Sequence, residues 1–274
     1  MPVARRWVYT RGVATVAGVW GDRRPRRGQD GTVSWTVILP VKRLVVAKSR
    51  LRGALPGVNH EALVLAMAMD TVSAALASSV VGRVVVVTTD HAVSELALAL
   101  GADVIQDVPD AGLNPALAYA ATLVRPKGAT ASLPGVAALP ADLPALRTED
   151  LTAALRAAEE VAWSTAGTAY GPEPLRGFVP DAAGTGTVLL AAPPGARLEP
   201  CFGWGSAAAL VTSGAVELTG DWPGLRRDVD TAADLAEAVA LGVGARTSVV
   251  GVNAPPGTDL GSDSSLIGPS ATGA

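Results

Sequence analysis

Residues Arg83 to Thr88 read RVVVVT, four consecutive valines closed by a threonine. A nearly continuous β-branched run offers no polar face to solvent, so it suits a strand buried on both sides, as in a parallel sheet. The flanking segments extend that reading. Upstream, His60 to Ala77 carries Leu63, Leu65, Met67, Val72, Ala75 and Leu76 at helical spacing, and Val33 to Val41 (VSWTVILPV) is a short strand leaving into a loop at Pro40. Downstream, Val93 to Leu100 reads as a helix closed by Gly101, a residue suited to the C′ position, and Ala102 to Gln106 as a strand. Leu113 to Leu123 is helical, with Asn114 and Pro115 in its first turn, and Val136 to Leu139 is a strand running into Pro140-Ala141-Asp142-Leu143-Pro144. Thr148 reads as an N-cap, with Glu149 and Asp150 in the first turn that follows. Gly177 to Val179 and Thr187 to Ala192 are strands flanking a Gly-rich turn. Thr231 opens the last helix with Asp234 in a capping-box position, and Gly242 ends it. Strands and helices alternating at this spacing predict an α/β fold with a mostly parallel sheet, in which ligands bind at the carboxyl ends of the strands.

The chain has 274 residues, 49% of them apolar and 17% charged, with a formal net charge of −3. That composition supports one domain over residues 33–250. Residues 1–32 hold Arg5, Arg6, Arg11, Arg23, Arg24, Arg26 and Arg27 against Asp22 and Asp30 and read as a basic, flexible extension; 251–274, rich in Gly, Ser, Pro and Ala, reads as a disordered tail. The run from Gly12 to Trp20 is short, Gly-rich and without an Ala-x-Ala site, so it does not read as a signal peptide. A single cysteine, Cys201, excludes an intramolecular disulfide, and two histidines, His60 and His91, exclude a multi-histidine metal centre. Both histidines read as structural or surface residues, and Cys201 as a packed small side chain. No uninterrupted apolar stretch reaches the roughly 18 residues of a spanning helix. There is no overall basic field and no aromatic platform for nucleic acid. The expectation is a cytoplasmic protein with neither membrane nor nucleic-acid partner, whose Ala/Val-rich helices leave room for a homodimer.

Four loops following strands hold the candidate chemistry. After the first strand come Lys42, Arg43, Lys48 and Arg50, a set able to hold nucleotide phosphates but equally readable as a solvated basic loop; it lacks the P-loop pattern. Asp142, at a strand end, is either a Mg²⁺ ligand or a cap for the next helix. Asp228 and Asp230 alternate, so an extended backbone puts both carboxylates on one side, where they repel unless a cation lies between them. The alternative is that Asp230 helps to cap the last helix while Asp228 pairs with Arg226 or Arg227. Finally, Gly184-Thr185-Gly186-Thr187 and Phe202-Gly203-Trp204-Gly205-Ser206 place hydroxyls beside glycines, which suits an anionic ligand. A helix opening at Ser206 would direct its N-terminus at such an anion.

In order along the chain, the motifs are Leu39-Pro40-x-Lys42-x-Leu44-x-x-Ala47-Lys48-Ser49-Arg50-Leu51, Gly112-Leu113-Asn114-x-Ala116-Leu117, Ala141-Asp142-Leu143-Pro144-Ala145-Leu146, Gly184-Thr185-Gly186-Thr187, Phe202-Gly203-x-x-Ser206-Ala207 and Arg227-Asp228-Val229-Asp230-Thr231. This series, spanning about residues 35–245, resembles the phosphoenolpyruvate / 2-phospho-L-lactate guanylyltransferase family of coenzyme F-420 biosynthesis. The block Gly220-x-Trp222-Pro223-Gly224-Leu225-Arg226 is most similar to the actinobacterial branch, which is associated with phosphoenolpyruvate as acceptor.

The resemblance implies a Rossmann-like, glycosyltransferase-A-type nucleotidyltransferase. Its reaction would transfer GMP from GTP to phosphoenolpyruvate, giving enolpyruvyl-diphospho-guanosine and pyrophosphate, with Mg²⁺ as cofactor. By that resemblance Thr187, Gly203 and Ser206 match acceptor-binding positions. Asp142, Asp228 and Asp230 match the Mg²⁺-holding acids, and Lys42, Lys48 and Arg50 would face the GTP phosphates, with Asp142 and Lys48 as the catalytic pair. Other acceptors, 2-phospho-L-lactate or 3-phosphoglycerate, share the required phosphate and carboxylate, and a non-catalytic nucleotide-binding module is the reading from another class. The chain departs from the family in a Gly-, Thr- and Pro-rich insertion over about Ala162 to Pro174, and in Pro140 ahead of Ala141-Asp142.

Overall fold

The computed structural model describes residues 34–252, apart from Val46, Ala54, Pro56, Pro109 and the segments 126–133 and 165–173. Strand β1 (Trp35–Pro40) is followed by α1 (His60–Ala77), β2 (Val81–Val87), α2 (His91–Leu100), β3 (Asp103–Ile105), α3 (Leu113–Val124), β4 (Gly135–Ala138) and α4 (Thr148–Ser164). Then come β5 (Gly177–Pro180), β6 (Thr187–Ala192), α5 (Ser206–Thr212), β7 (Val216–Glu217), α6 (Pro223–Arg226), α7 (Ala232–Leu241) and α8 (Ala245–Thr247). A π-turn over Ser248–Val252 carries the chain two residues past the expected domain end. The basic extension, nearly all of the tail and most of the Ala162–Pro174 insertion lie outside the described residues.

The seven strands form one sheet in the order β3-β2-β1-β4-β6-β5-β7. β1 pairs in parallel with β2 and β4, β2 with β3, and β5 with β7; β6 alone runs against its neighbours β4 and β5. The sheet is thus mostly parallel, as the valine run predicted, with Val84 to Val87 all buried. Strand periodicity sorts the core into two layers. Val37, Leu39, Val84, Val86, Leu189 and Ala191 pack with α1, α2, α4 and α7 on one face. Ile38, Val85, Val87, Leu190 and Ala192 pack with α3 and α5 on the other.

Local signals fix the helix ends. The Asn59 side chain accepts from Ala62 N to cap α1, Gly101 closes α2 with φ 97°, and Thr231 and Asp234 form the reciprocal capping box of α7. One expectation is corrected. Thr148 is the first residue of α4, and its hydroxyl donates to the Ala74 carbonyl of α1 (3.3 Å), so it joins two helices. Among the described residues α1 is long and apolar enough to cross a membrane, but 56% of its span is buried within this fold. It is the core helix under β1 and β2.

Candidate active site

The carboxyl ends of β1, β2 and β4 share one rim of the sheet. Because β6 is reversed, its first residue, Thr187, reaches the same rim, paired with Pro180 at the end of β5. Every loop singled out from the sequence opens here.

The basic loop after β1 is held down at several points. Leu44 N donates to Asp90 Oδ2 (3.1 Å), while Asp90 Oδ1 accepts from Ala92 N and Val93 N at the start of α2. Arg43 pairs with Asp110 (3.2 Å) and donates to the Thr89 hydroxyl. His60 Nε2 is hydrogen-bonded to the Ala47 carbonyl (2.8 Å). Lys48 follows directly, with φ 50°, a left-handed conformation that a non-glycine residue adopts at a cost and that clusters at functional sites. That turn carries its ammonium inward, where it is ion-paired with both Asp142 and Asp230. Lys42 and Arg50 are exposed and bond to no other described residue.

The acids are brought together through the backbone. Val229 N donates to the Asp142 carbonyl (3.0 Å), which joins the Asp228–Asp230 stretch to the loop after β4. Buried Thr71 of α1 braces that loop by accepting from Leu143 N (3.2 Å). Val229 is fully buried, while Asp228 beside it is half-buried and Asp230 is exposed. The helix-cap alternatives fail. Thr231 caps α7, Arg227 pairs with Asp234 and Glu237, and the Asp142 side chain is committed to Lys48.

Asp228 lies within the field of the other acids. Burial, reinforced by the charges of Asp142, Asp230 and Asp181, pushes its carboxyl up to about 6 against the opposing pull of Lys48. Burial works to lower the Lys48 ammonium, but the paired Asp142 and Asp230 carboxylates outweigh it and hold Lys48 above the ordinary lysine range. Two of the three carboxylates, Asp142 and Asp230, thus share one ammonium. Among the described residues no three acids converge as a ready metal centre, because Asp142 and Asp230 close on Lys48 instead. The donor set still fits a hard divalent cation. It is all oxygen, it carries excess negative charge, and the buried Asp142 Oδ1 has no hydrogen-bond partner.

The hydroxyl side of the rim is built on two turns. Between β5 and β6, Asp181 accepts from Thr185 N and Gly186 N (both 2.9 Å), and Ala182 N donates to the Arg226 carbonyl (2.8 Å), tying this turn to the acidic stretch. A Cβ at Gly186 would run into the Asp181 carboxylate. After β6, Gly203 (φ 125°) and Gly205 (φ 73°) adopt positive-φ backbone that residues with a side chain take only at a cost, and bring Ser206 to Thr187. The two buried hydroxyls are 2.8 Å apart. Trp204, between the glycines, is 99% exposed. At the outer end of the rim, Lys42, Arg43, Thr89, Asp107, Asp110, Gly112 and neighbours line a cavity of about 390 Å³.

Asp181 and Asp90 carry no role in the sequence reading, His60 reads there as structural, and Asn114 enters only within a motif. A carboxylate opening a Gly-rich turn was a usable signal for Asp181. Asp90 and Asn114 bond to partners 46 and 88 residues away, and His60 to one 13 residues away.

Acids and a lysine grouped on this rim beside a cavity suit a nucleotidyltransferase, and the relatives of the chain belong to that class. The model of the family described as "Guanylyl transferase CofC like" matches residues 35–169. A phosphoenolpyruvate guanylyltransferase of Salinispora arenicola is 56% identical over 225 residues, 82% of this chain and 97% of that one. One of Geodermatophilus obscurus is 50% identical, covering 79% of this chain and 94% of that one. The chain belongs to this guanylyltransferase family. Its fold is also similar to a crystal structure from Desulfovibrio desulfuricans G20 assigned as a nucleotide-diphospho-sugar transferase, with a TM-score of 0.53 at 15% identity, covering 75% of this chain and 86% of that one.

Proposed function

We propose that the protein transfers GMP from GTP to phosphoenolpyruvate, giving enolpyruvyl-diphospho-guanosine and pyrophosphate, a step of coenzyme F-420 biosynthesis. The observation that supports this most is the sharing of one rim by two sets of groups: the Lys48–Asp142–Asp230 cluster and the buried Thr187–Ser206 hydroxyl pair. One suits a nucleotide triphosphate and its metal, the other a small phosphorylated acid.

An oxygen of the acceptor phosphate attacks the α-phosphorus of GTP. The new P–O bond forms as the α–β bridge breaks, and pyrophosphate leaves with that electron pair. The nucleophile is already anionic, so the protein need not remove a proton. Its work is placement and charge neutralisation. Lys48, with Lys42 and Arg50 at the loop surface, faces the GTP phosphates, and the cavity beside Lys42 takes the nucleoside end. The Thr187 and Ser206 hydroxyls and the Gly203 N–H hold the acceptor's phosphate or carboxylate. Asp142, Asp228 and Asp230 would hold Mg²⁺, which when bound supplies Lewis-acid neutralisation of the phosphate and leaving-group charge. Lys48 then exchanges its carboxylates for a phosphate.

The test is pyrophosphate release from GTP and Mg²⁺ with phosphoenolpyruvate, 2-phospho-L-lactate and 3-phosphoglycerate in separate reactions, using the wild type and Asp142→Ala. The expected result is turnover with phosphoenolpyruvate, none with GTP alone, and loss in the variant. Turnover only with another acceptor would reassign the substrate. GTP binding without turnover on any acceptor would leave a binding module.

A further inference from the structure

We propose that Asn114 is a positioning residue that locks the acceptor loop to the helix bordering the nucleotide cavity, holding the two substrates in register. This rests on the assignment of cavity and hydroxyl pair made above. The Asn114 amide is used in both directions on the backbone of one residue: Nδ2 donates to the Phe202 carbonyl (3.0 Å) and Oδ1 accepts from Phe202 N (2.7 Å), across 88 residues of chain. Asparagine is favoured as an N-cap, but Asn114 lies two residues past that position. Here Gly112 is the N-cap and makes no side-chain cap bond, so the Asn114 amide is spent entirely on the distant loop.

The first turn of α3 therefore has two clients. Gly112, Leu113 and Ala116 line the cavity, while Asn114 grips the residue just before Gly203. From Phe202 the loop runs through Gly203, whose carbonyl accepts from Ser206 N (3.1 Å), to the Ser206–Thr187 hydroxyl pair, and Ala207 N closes onto the Thr185 carbonyl (3.2 Å). The loop is fixed on one side by the β5–β6 turn and on the other by Asn114. The second clamp ties it directly to the helix that borders the nucleotide cavity. Transfer requires an acceptor oxygen in line with the α-phosphorus, and misplacement by about 1 Å can cost about a hundredfold in rate. An ionised aspartate at 114 keeps the acceptor oxygen but loses the donor, leaving the Phe202 carbonyl unmet. A protonated one restores both bonds, because a carboxylic acid offers O–H and C=O side by side.

The experiment compares wild type with Asn114→Asp and the more disruptive Asn114→Ala. It measures kcat, KM for GTP and for phosphoenolpyruvate, the Kd of a non-transferable GTP analogue (α,β-methylene GTP) and the melting temperature. The expected result is a GTP-analogue Kd within about twofold of wild type, with the acceptor KM raised and kcat lowered, each by about tenfold. The ratio of Asn114→Asp to wild-type kcat/KM for the acceptor should climb as pH is lowered, and that of Asn114→Ala should stay flat. Variants that melt earlier but keep wild-type kcat and acceptor KM would overturn the proposal, as would equal weakening of both substrates. A wild type that turns over no acceptor would remove the functional reading itself and this inference with it. A wild-type-like variant beside an active wild type overturns this inference alone.

Discussion

The hydroxyl oxygens of Thr187 and Ser206 lie 2.8 Å apart, both side chains buried, with one on the first residue of a strand and the other on the first residue of a helix. One hydroxyl donates to the other, which leaves a single free O–H for a ligand. Thr187→Val and Ser206→Ala should each raise the acceptor KM by about 10- to 100-fold, the cost of one hydrogen bond to a charged group. The double variant should fall short of the product of the singles, because the pair acts as a unit. Fluorescence of exposed Trp204 on the same loop provides an independent binding readout, with Trp204→Phe as the blank. Multiplicative effects would show that the hydroxyls act separately.

Lys48 is ion-paired with two carboxylates and has a backbone conformation that aims it inward. Lys48→Met should lower kcat by about 10²- to 10³-fold, the scale for removing one preorganised charge from a transition state. Lys48→Arg should recover little, since a planar fork cannot replace a point charge placed between two acids. Steady-state kinetics with saturating GTP check this, and a Lys48→Met enzyme within about threefold of wild type would exclude Lys48 from the chemistry.

Asp90 joins two jobs that substitution can separate. Asp90→Ala removes both the α2 cap and the anchor of Leu44, and should cost about 1–2 kcal/mol of stability while raising the GTP KM. Asp90→Asn retains an oxygen for Ala92 N and Val93 N but turns an amide N–H toward Leu44 N. It should melt close to wild type and still show the raised GTP KM. Thermal melts run beside GTP titrations decide the matter, and an unchanged KM in both variants would sever this anchor from nucleotide binding.

The crowded acids set a pH dependence in metal-free protein. The folded-state pKa of Asp228, about 6, lies above its ordinary 3.8, so between these values the folded state binds more protons than the unfolded one. Stability from this group is therefore greatest at low pH and declines as pH rises through about 6. In a chelating buffer the melting temperature should fall between about pH 5 and pH 7, by more in wild type than in Asp228→Asn. Excess Mg²⁺ at neutral pH should reverse the loss in wild type. Identical melting profiles for the two proteins would remove Asp228 from the account.

Much of the fold was legible because it is written in local periodicity. The 60–77 helix, the 187–192 strand and the Thr231–Asp234 capping box are observed at the residues predicted, each being determined by neighbours within a few positions. Two-residue β7 carries too little pattern to read, and the reversal of β6 is a pairing property that its all-buried sequence does not encode. The same divide runs through the site. The strand-end rule pointed to the loop that carries Asp142, and the close spacing of Asp228 and Asp230 to a shared field of charge. Nothing near Lys48 in sequence announces that it lies between Asp142 and Asp230, and Asn114 and Phe202 are linked only in space.

The reversed strand β6 has a consequence for how such an enzyme can diversify. In the proposed assignment, the nucleotide half of the rim is made by strand–helix crossovers, each of which also shapes the main core, so altering one disturbs the whole body. The acceptor half hangs on a hairpin turn and one glycine-hinged loop, which can lengthen, shorten or exchange residues while the sheet stays as it is. A change of small-acid substrate can then be inherited as a local edit, with the triphosphate-handling machinery left untouched.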